Sequence, residues 1–512
     1  MNDTIRGLLA SQTPQDPALL APERAPSTFQ GLRALATETV GALNRLGIGR
    51  EDRVAIVLPN GPEMAAAFLA VAHGATTAPL NPAYRADELD FYLGDLDAKA
   101  LIVPEGDSGP AVEVARSRGI AILRLATSAD RPAGWFVLEA EGGGNGEAAA
   151  RGGWAEADDV ALVLHTSGTT SRPKMVPLLQ RNLAASATHI ARSLALGPAD
   201  RCLNVMPLFH IHGLVAAVLS SLAAGGSTFC TPGFNALRFF AWLEEAQPTW
   251  YTAVPTMHQA ILARAERNRD ALARARLRFI RSSSASLPPQ VMRALEEAFE
   301  APVIESYGMT EAAHQMTSNP LPPAARKPGS VGIAAGPLVR IADATGNFLE
   351  AGAEGEVVIS GPNVTPGYAA NPEANAKSFF EADGRRWFRT GDQGVLDAEG
   401  YLRITGRIKE IINRGGEKVS PLEVDEVLMD HPAIQQVVTF AMPHAKLGEE
   451  VAAAIVLREG MNADEHEIRA FAAARLADFK VPRKLVFLAE IPKGATGKLQ
   501  RIGLAQKLGL GG

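Results

Sequence analysis

The sequence predicts an α/β protein, with parallel-rich sheets covered by helices first, a β-rich portion after them, and a small α+β unit at the C-terminal end. Three observations predict it. Short apolar runs end in turns and give way to helical patterns, a theme that repeats through the first half of the chain. From Gly355 the texture changes to shorter strands and turns. A chain of 512 residues also exceeds what one compact core holds, so two or more structural units are expected.

The elements follow in order. Residues 53–58 are an apolar, strand-like run; Pro59-Asn60-Gly61-Pro62 is a turn; 63–72 carry a helical pattern that His73-Gly74 stop before a second run at 76–80. Residues 160–164, 201–207 and 249–254 read as further strands, the last two ending at or before proline and leading into helical stretches. Gly142, Gly143, Gly144, Asn145 and Gly146 read as a flexible surface loop. Beyond Gly355, strands are expected at 356–360 and 401–405, with Asp397-Ala398-Glu399-Gly400 as the turn before the second. The last hundred residues read as strands at 434–441 and 453–457 and a helix at 464–476.

Composition excludes several classes. A net charge of -6 gives no electrostatic case for nucleic acid or an anionic membrane as partner. Cys202 and Cys230, the two cysteines, imply no disulfide framework and suit a reducing compartment. The N-terminus lacks a basic segment followed by an apolar core, and no apolar run reaches membrane-spanning length. A soluble cytoplasmic protein is expected.

The segment His165-Thr166-Ser167-Gly168-Thr169-Thr170-Ser171-Arg172-Pro173-Lys174 follows directly on the strand at 160–164. Its hydroxyls, glycine and two cations suit an oligophosphate. It lacks the Gly-x-x-x-x-Gly-Lys-Ser/Thr order, so it is not the phosphate loop of the P-loop nucleotidases. Alone it is also compatible with a Ser/Thr-rich surface loop.

Four further motifs follow it: Tyr307-Gly308-Met309-Thr310-Glu311, Arg389-Thr390-Gly391-Asp392, Gly406-Arg407-Ile408-Lys409-Glu410 and Gly494-Ala495-Thr496-Gly497-Lys498. In this order and spacing the five resemble the adenylate-forming superfamily of acyl-CoA synthetases, adenylation domains and luciferases. The resemblance runs from about Phe29 to about Arg501.

The resemblance implies a large lobe over residues 1–408 holding the ATP and acid sites, and a small mobile lobe over 409–512 that rotates about hinge Lys409. It implies ATP, Mg²⁺ and coenzyme A as co-substrates, with no tightly bound prosthetic group. Thr166, Ser167, Gly168, Thr169, Thr170 and Lys174 would hold the phosphates. Thr310 would lie beside the α-phosphate, and Glu311 would organise Mg²⁺. Tyr307 would stack on adenine, and Asp392 and Arg407 would bond the ribose hydroxyls. Lys498 would bridge the acid and the α-phosphate, a task suited to a compact, flexible charge. Gly415, Gly416, Glu417 and Lys418 would line the coenzyme A tunnel, the glycines allowing unusual dihedrals.

The acid site in this family draws on stretches that here carry His210, His212, His258, Ser283, Ser284, His314 and Gln315. Hydrogen-bonding side chains facing an alkyl tail would be left unsatisfied, so they suit a short polar acid. The wording around His314-Gln315-Met316-Thr317-Ser318-Asn319 resembles the oxalate–CoA ligase branch. Oxalate bound through His210, Ser284 and His314 is the leading expectation; a medium-chain or aromatic acid is the alternative. His212 and His258 also read as structural, and no arginine in these stretches is seen to clamp a second carboxylate. Less favoured readings are an adenylation domain loading a carrier protein and a non-catalytic ligand sensor. Met175 stands where the family has glycine, and would strain the phosphate segment if that position needs positive φ. Oligomeric state is not legible.

Overall fold

The computed structural model describes residues 2–142, 148–166, 173–493 and 499–511. Its architecture is α/β as expected. A nine-stranded sheet has six parallel strands at its centre, in the order Val303–Met309, Phe279–Ser283, Trp250–Ala253, Arg201–Asn204, Ser227–Cys230 and Pro17–Leu20. A seven-stranded sheet has a parallel interior that includes Arg53–Ile56, Thr76–Pro79 and Val160–Thr166. An antiparallel five-stranded sheet follows, running through Leu338–Ala342, Glu354–Ser360 and Arg385–Leu396. A second five-stranded sheet forms the C-terminal unit, led by the long pair Ile434–His444 and Gly448–Leu457.

Local chemistry explains the boundaries. The helix Pro62–Ala72 starts with proline at its first position, where the missing N–H costs nothing. Apart from Glu63 it is buried all round, in one core with residues of both large sheets, which its alanine-rich text permits. The turn at 397–400 joins strands paired at Leu396 and Leu402, with the Asp397 carboxylate accepting from the amides of Glu399 and Tyr401. Met175 does not meet the feared strain. It is a buried residue of the strand Lys174–Leu179, outside the positive-φ positions, packed in the core with Val163 and Leu80.

The apolar stretch after His210 folds as a π-helix, His212–Leu219, buried throughout. Such helices are rare and concentrate at functional sites.

Glu305, in the strand Val303–Met309, is a buried acid whose Oε2 has no partner among the described residues. Burial pushes it up to about 8, with nearby Glu426 acting the same way; the backbone amides of Leu287 and Gly329 offset part of this. A raised folded-state value means stability present below the unfolded value near 4.5 and lost as pH climbs toward 8. Glu305→Gln is expected to melt with wild type at pH 5 and several degrees above it at pH 8. Thermal unfolding at the two pH values checks this, and an equal gap at both would count against it.

Candidate active site

The residues expected at adenine and ribose converge from three strands. Asp392 pairs with Arg407 across adjacent strands, and its Oδ1 accepts from Arg407 Nε at 2.8 Å. Its Oδ2 accepts from the Tyr307 hydroxyl at 2.5 Å. The Asp392 carboxylate raises the Arg407 guanidinium above its usual range, and burial raises the Tyr307 phenol. A buried carboxylate held between an aromatic ring and a guanidinium is suited to a ribose beside a stacked base.

Of the residues expected at the phosphates, Thr166 and Lys174 lie at one end of the seven-stranded sheet. Thr166 ends one strand, Lys174 opens the next, and the two are register partners. Ser167, Gly168, Thr169 and Thr170, and the neighbouring Ser171 and Arg172, lie outside the described residues, as do Gly143–146 of the glycine-rich loop. Lys174 Nζ lies 4.3 Å from the centre of the Tyr368 ring, whose hydroxyl donates to Glu311 Oε1 at 2.8 Å. Glu311 and Thr310 belong to the 3₁₀ turn Thr310–Ala312 that follows the Tyr307 strand. Burial raises the Glu311 carboxyl and lowers the Lys174 ammonium, so each gains from a ligand that restores its charge. Tyr368 was not anticipated, because a tyrosine after a glycine carries no distinguishing signal.

The residues expected at the acid form a polar cluster in which His212 and His314 are buried and Ser284 is half-buried. His212, at the start of the π-helix, has Nδ1 3.1 Å from Ser284 Oγ and Nε2 2.6 Å from Thr252 Oγ1. The His314 ring centre lies 5.0 Å from that of His212. Ser284 (φ 76°) and His314 (φ 101°) are both left-handed, a strain of order 1–3 kcal/mol each that clusters at functional sites. Gly308 makes this possible: a Cβ there would stand 1.7 Å from the His314 carbonyl oxygen, so only glycine lets the two strands approach.

His212, which also read as structural, meets Ser284, and half-buried His210 joins the same cluster through Nδ1, which accepts from the His212 amide at 3.3 Å. An arginine is present after all. Arg281 is fully buried, with Nη2 3.5 Å from His314 Nδ1 and 3.2 Å from Gln315 Oε1. Strand alternation turns Arg281 and Thr252, register partners, to this face. His258 lies on the other face against Tyr251, in the aromatic core, where burial pushes it down to about 3. Ser283 is engaged elsewhere, donating to the Ser306 carbonyl.

In the C-terminal unit, Gly415 (φ 60°) and Gly416 (φ 100°) form the two-residue turn between Ile412–Arg414 and Glu417–Val419. Glu417 and Lys418 are exposed on that hairpin. Lys409 sits in the turn between Leu402–Arg407 and Ile412–Arg414. Lys498 lies outside the described residues; three positions beyond it, Arg501 reaches Glu410 at 3.2 Å and Asp425 at 2.8 Å. No helix among the described residues is long and apolar enough to cross a membrane.

Comparison with known proteins adds the following. The AMP-binding enzyme family matches residues 9–369, and the AMP-binding enzyme C-terminal domain matches residues 423–498. The chain is 46% identical to an oxalate–CoA ligase of Arabidopsis thaliana over 99% of this chain and 98% of that one. It is 43% identical to an oxalate–CoA ligase of Saccharomyces cerevisiae, over 89% and 87%. Among solved structures, ATP-bound MatB from Rhodopseudomonas palustris superimposes with a TM-score of 0.87 at 29% identity, covering 99% of each chain.

Proposed function

The chain belongs to the AMP-binding enzyme family and is an AMP-forming acid–CoA ligase, and we propose that its acid is oxalate. An acid oxygen bonds to the α-phosphorus of ATP as the bond to pyrophosphate breaks. The sulfur of coenzyme A then bonds to the acyl carbon as the bond to AMP breaks. The observation that carries oxalate is the polar cluster of half-buried Ser284, which buried His212 engages, and buried His314, with His210 joined to it through the His212 amide. An alkyl or aryl tail there would set the Ser284 hydroxyl and the His314 ring against apolar surface, whereas the second carboxylate of a two-carbon diacid accepts from them. The two oxalate–CoA ligase relatives support the same reading.

In this reading Tyr307 stacks on adenine while Asp392 and Arg407 hold the ribose. Thr166, Ser167, Gly168, Thr169, Thr170 and Lys174 hold the phosphates, and Thr310 lies beside the α-phosphate. Glu311 would hold Mg²⁺. It is a buried carboxylate outside any cluster of three His, Cys, Asp or Glu among the described residues, a donor set that suits an ion ligated mostly by phosphate and water. When bound, that ion would offset phosphate charge. Lys498 offsets charge as the acid attacks, and residues 409–512 then turn about Lys409, presenting Gly415, Gly416, Glu417 and Lys418 to the thiol substrate.

The test is AMP release with ATP and Mg²⁺, with and without coenzyme A, across oxalate, malonate, acetate, octanoate and benzoate. Oxalate is expected to exceed each other acid by at least about 100-fold in kcat/KM, in line with sites built around buried polar partners. Preference for octanoate or benzoate would overturn oxalate and leave the ligase.

A further inference from the structure

Arg281 is costly as packing alone. Its guanidinium is fully buried in the central strand Phe279–Ser283, and Nε and Nη1 have no hydrogen-bond partner among the described residues. No carboxylate among those residues forms an ion pair with it, and burial pushes it down to about 9. A buried charge left without a counter-charge is strongly destabilising. Its engaged nitrogen, Nη2, faces Gln315 and His314. Beyond them lie His212 and Ser284, the groups assigned to the acid.

We propose that Arg281 is a positioning residue for diacid selectivity, with its buried charge relayed through His314 to the second carboxylate of the bound acid. The inference rests on the oxalate reading and deepens it. A guanidinium only donates, so the imidazole nitrogen facing it accepts, and the ring proton sits on Nε2. His314 is then a neutral donor toward the acid, since two cations in that contact would repel. The compensating charge for a dianion comes from Arg281, one layer behind the ring. Gln315 holds the guanidinium in place, its own amide donating to Ser193 Oγ at 2.9 Å and the Ala335 carbonyl at 3.0 Å.

The selectivity between oxalate and oxamate isolates this charge, because oxamate replaces one carboxylate by a neutral amide of the same size. Pyrophosphate release is measured with both acids for wild type, Arg281→Lys and Arg281→Gln in the full chain. Wild type is expected to prefer oxalate by at least about 50-fold, given the strength of charges in low dielectric. Arg281→Lys, which keeps the charge, should hold that ratio within about fivefold, and Arg281→Gln should bring it below about threefold with the KM for ATP unchanged. A parallel fall for both acids, with the ratio intact, would reduce Arg281 to packing and overturn the inference. Should Arg281→Gln not fold, His314→Gln cuts the same relay without disturbing the buried charge, and an unchanged ratio there would overturn it equally. A wild type that ignores oxalate overturns the substrate reading, and this inference with it. A wild type that uses oxalate but whose ratio survives Arg281→Gln overturns this inference alone.

Discussion

Lys498→Ala is expected to lower oxalate-dependent pyrophosphate release by about 10³-fold, while thioester formation from supplied oxalyl-adenylate stays within about threefold of wild type. The asymmetry follows from charge. In the first half-reaction an anionic acid meets an anionic phosphate, and a cation between them lowers the barrier. In the second, a thiol attacks a mixed anhydride that is already activated, and positioning does most of the work. Single-turnover assays of the two steps check this, and equal loss of both would remove Lys498 from the phosphorus. Arg501 sharpens the comparison. It joins the stretch beyond Lys498 to Glu410, next to the proposed hinge, and to Asp425.

Local chemistry made much of this legible. Apolar runs that stop at proline or a turn and hand over to helical text became the parallel strands Arg53–Ile56, Arg201–Asn204 and Trp250–Ala253. Tyr307, Asp392 and Arg407, singled out from motifs far apart in sequence, meet within hydrogen-bond distance. What escaped depends on geometry that no short window contains. The contact of His212 with Ser284 depends on the π-helix that His212 opens, which no short window shows. Arg281 stands directly before Ser282 in a serine-rich run. Only its pairing with Thr252 across the sheet puts it behind His314. Met175 looked strained from a residue preference, but a strand at that position removes the need for positive φ. Tyr368 has no motif around it and is important only through Lys174 and Glu311.

Glu311→Gln is expected to cut pyrophosphate release by about 10²–10³-fold with little loss of fold. Gln keeps the volume and an acceptor for the Tyr368 hydroxyl, so the bond at 2.8 Å has a substitute. It also removes the desolvation cost that a buried carboxyl carries and that raises Glu311. What Gln cannot supply is the negative charge that draws the Lys174 ammonium toward its charged form from across the Tyr368 ring. Tyr368→Phe separates the two contributions. It keeps the ring under Lys174 and deletes only the hydroxyl on Glu311, so a loss of about tenfold is expected, one hydrogen bond to a charged group. Raising Mg²⁺ should recover part of the Tyr368→Phe loss and none of the Glu311→Gln loss. Equal rescue of both would mean that Glu311 acts by packing against Tyr368 and not through its charge.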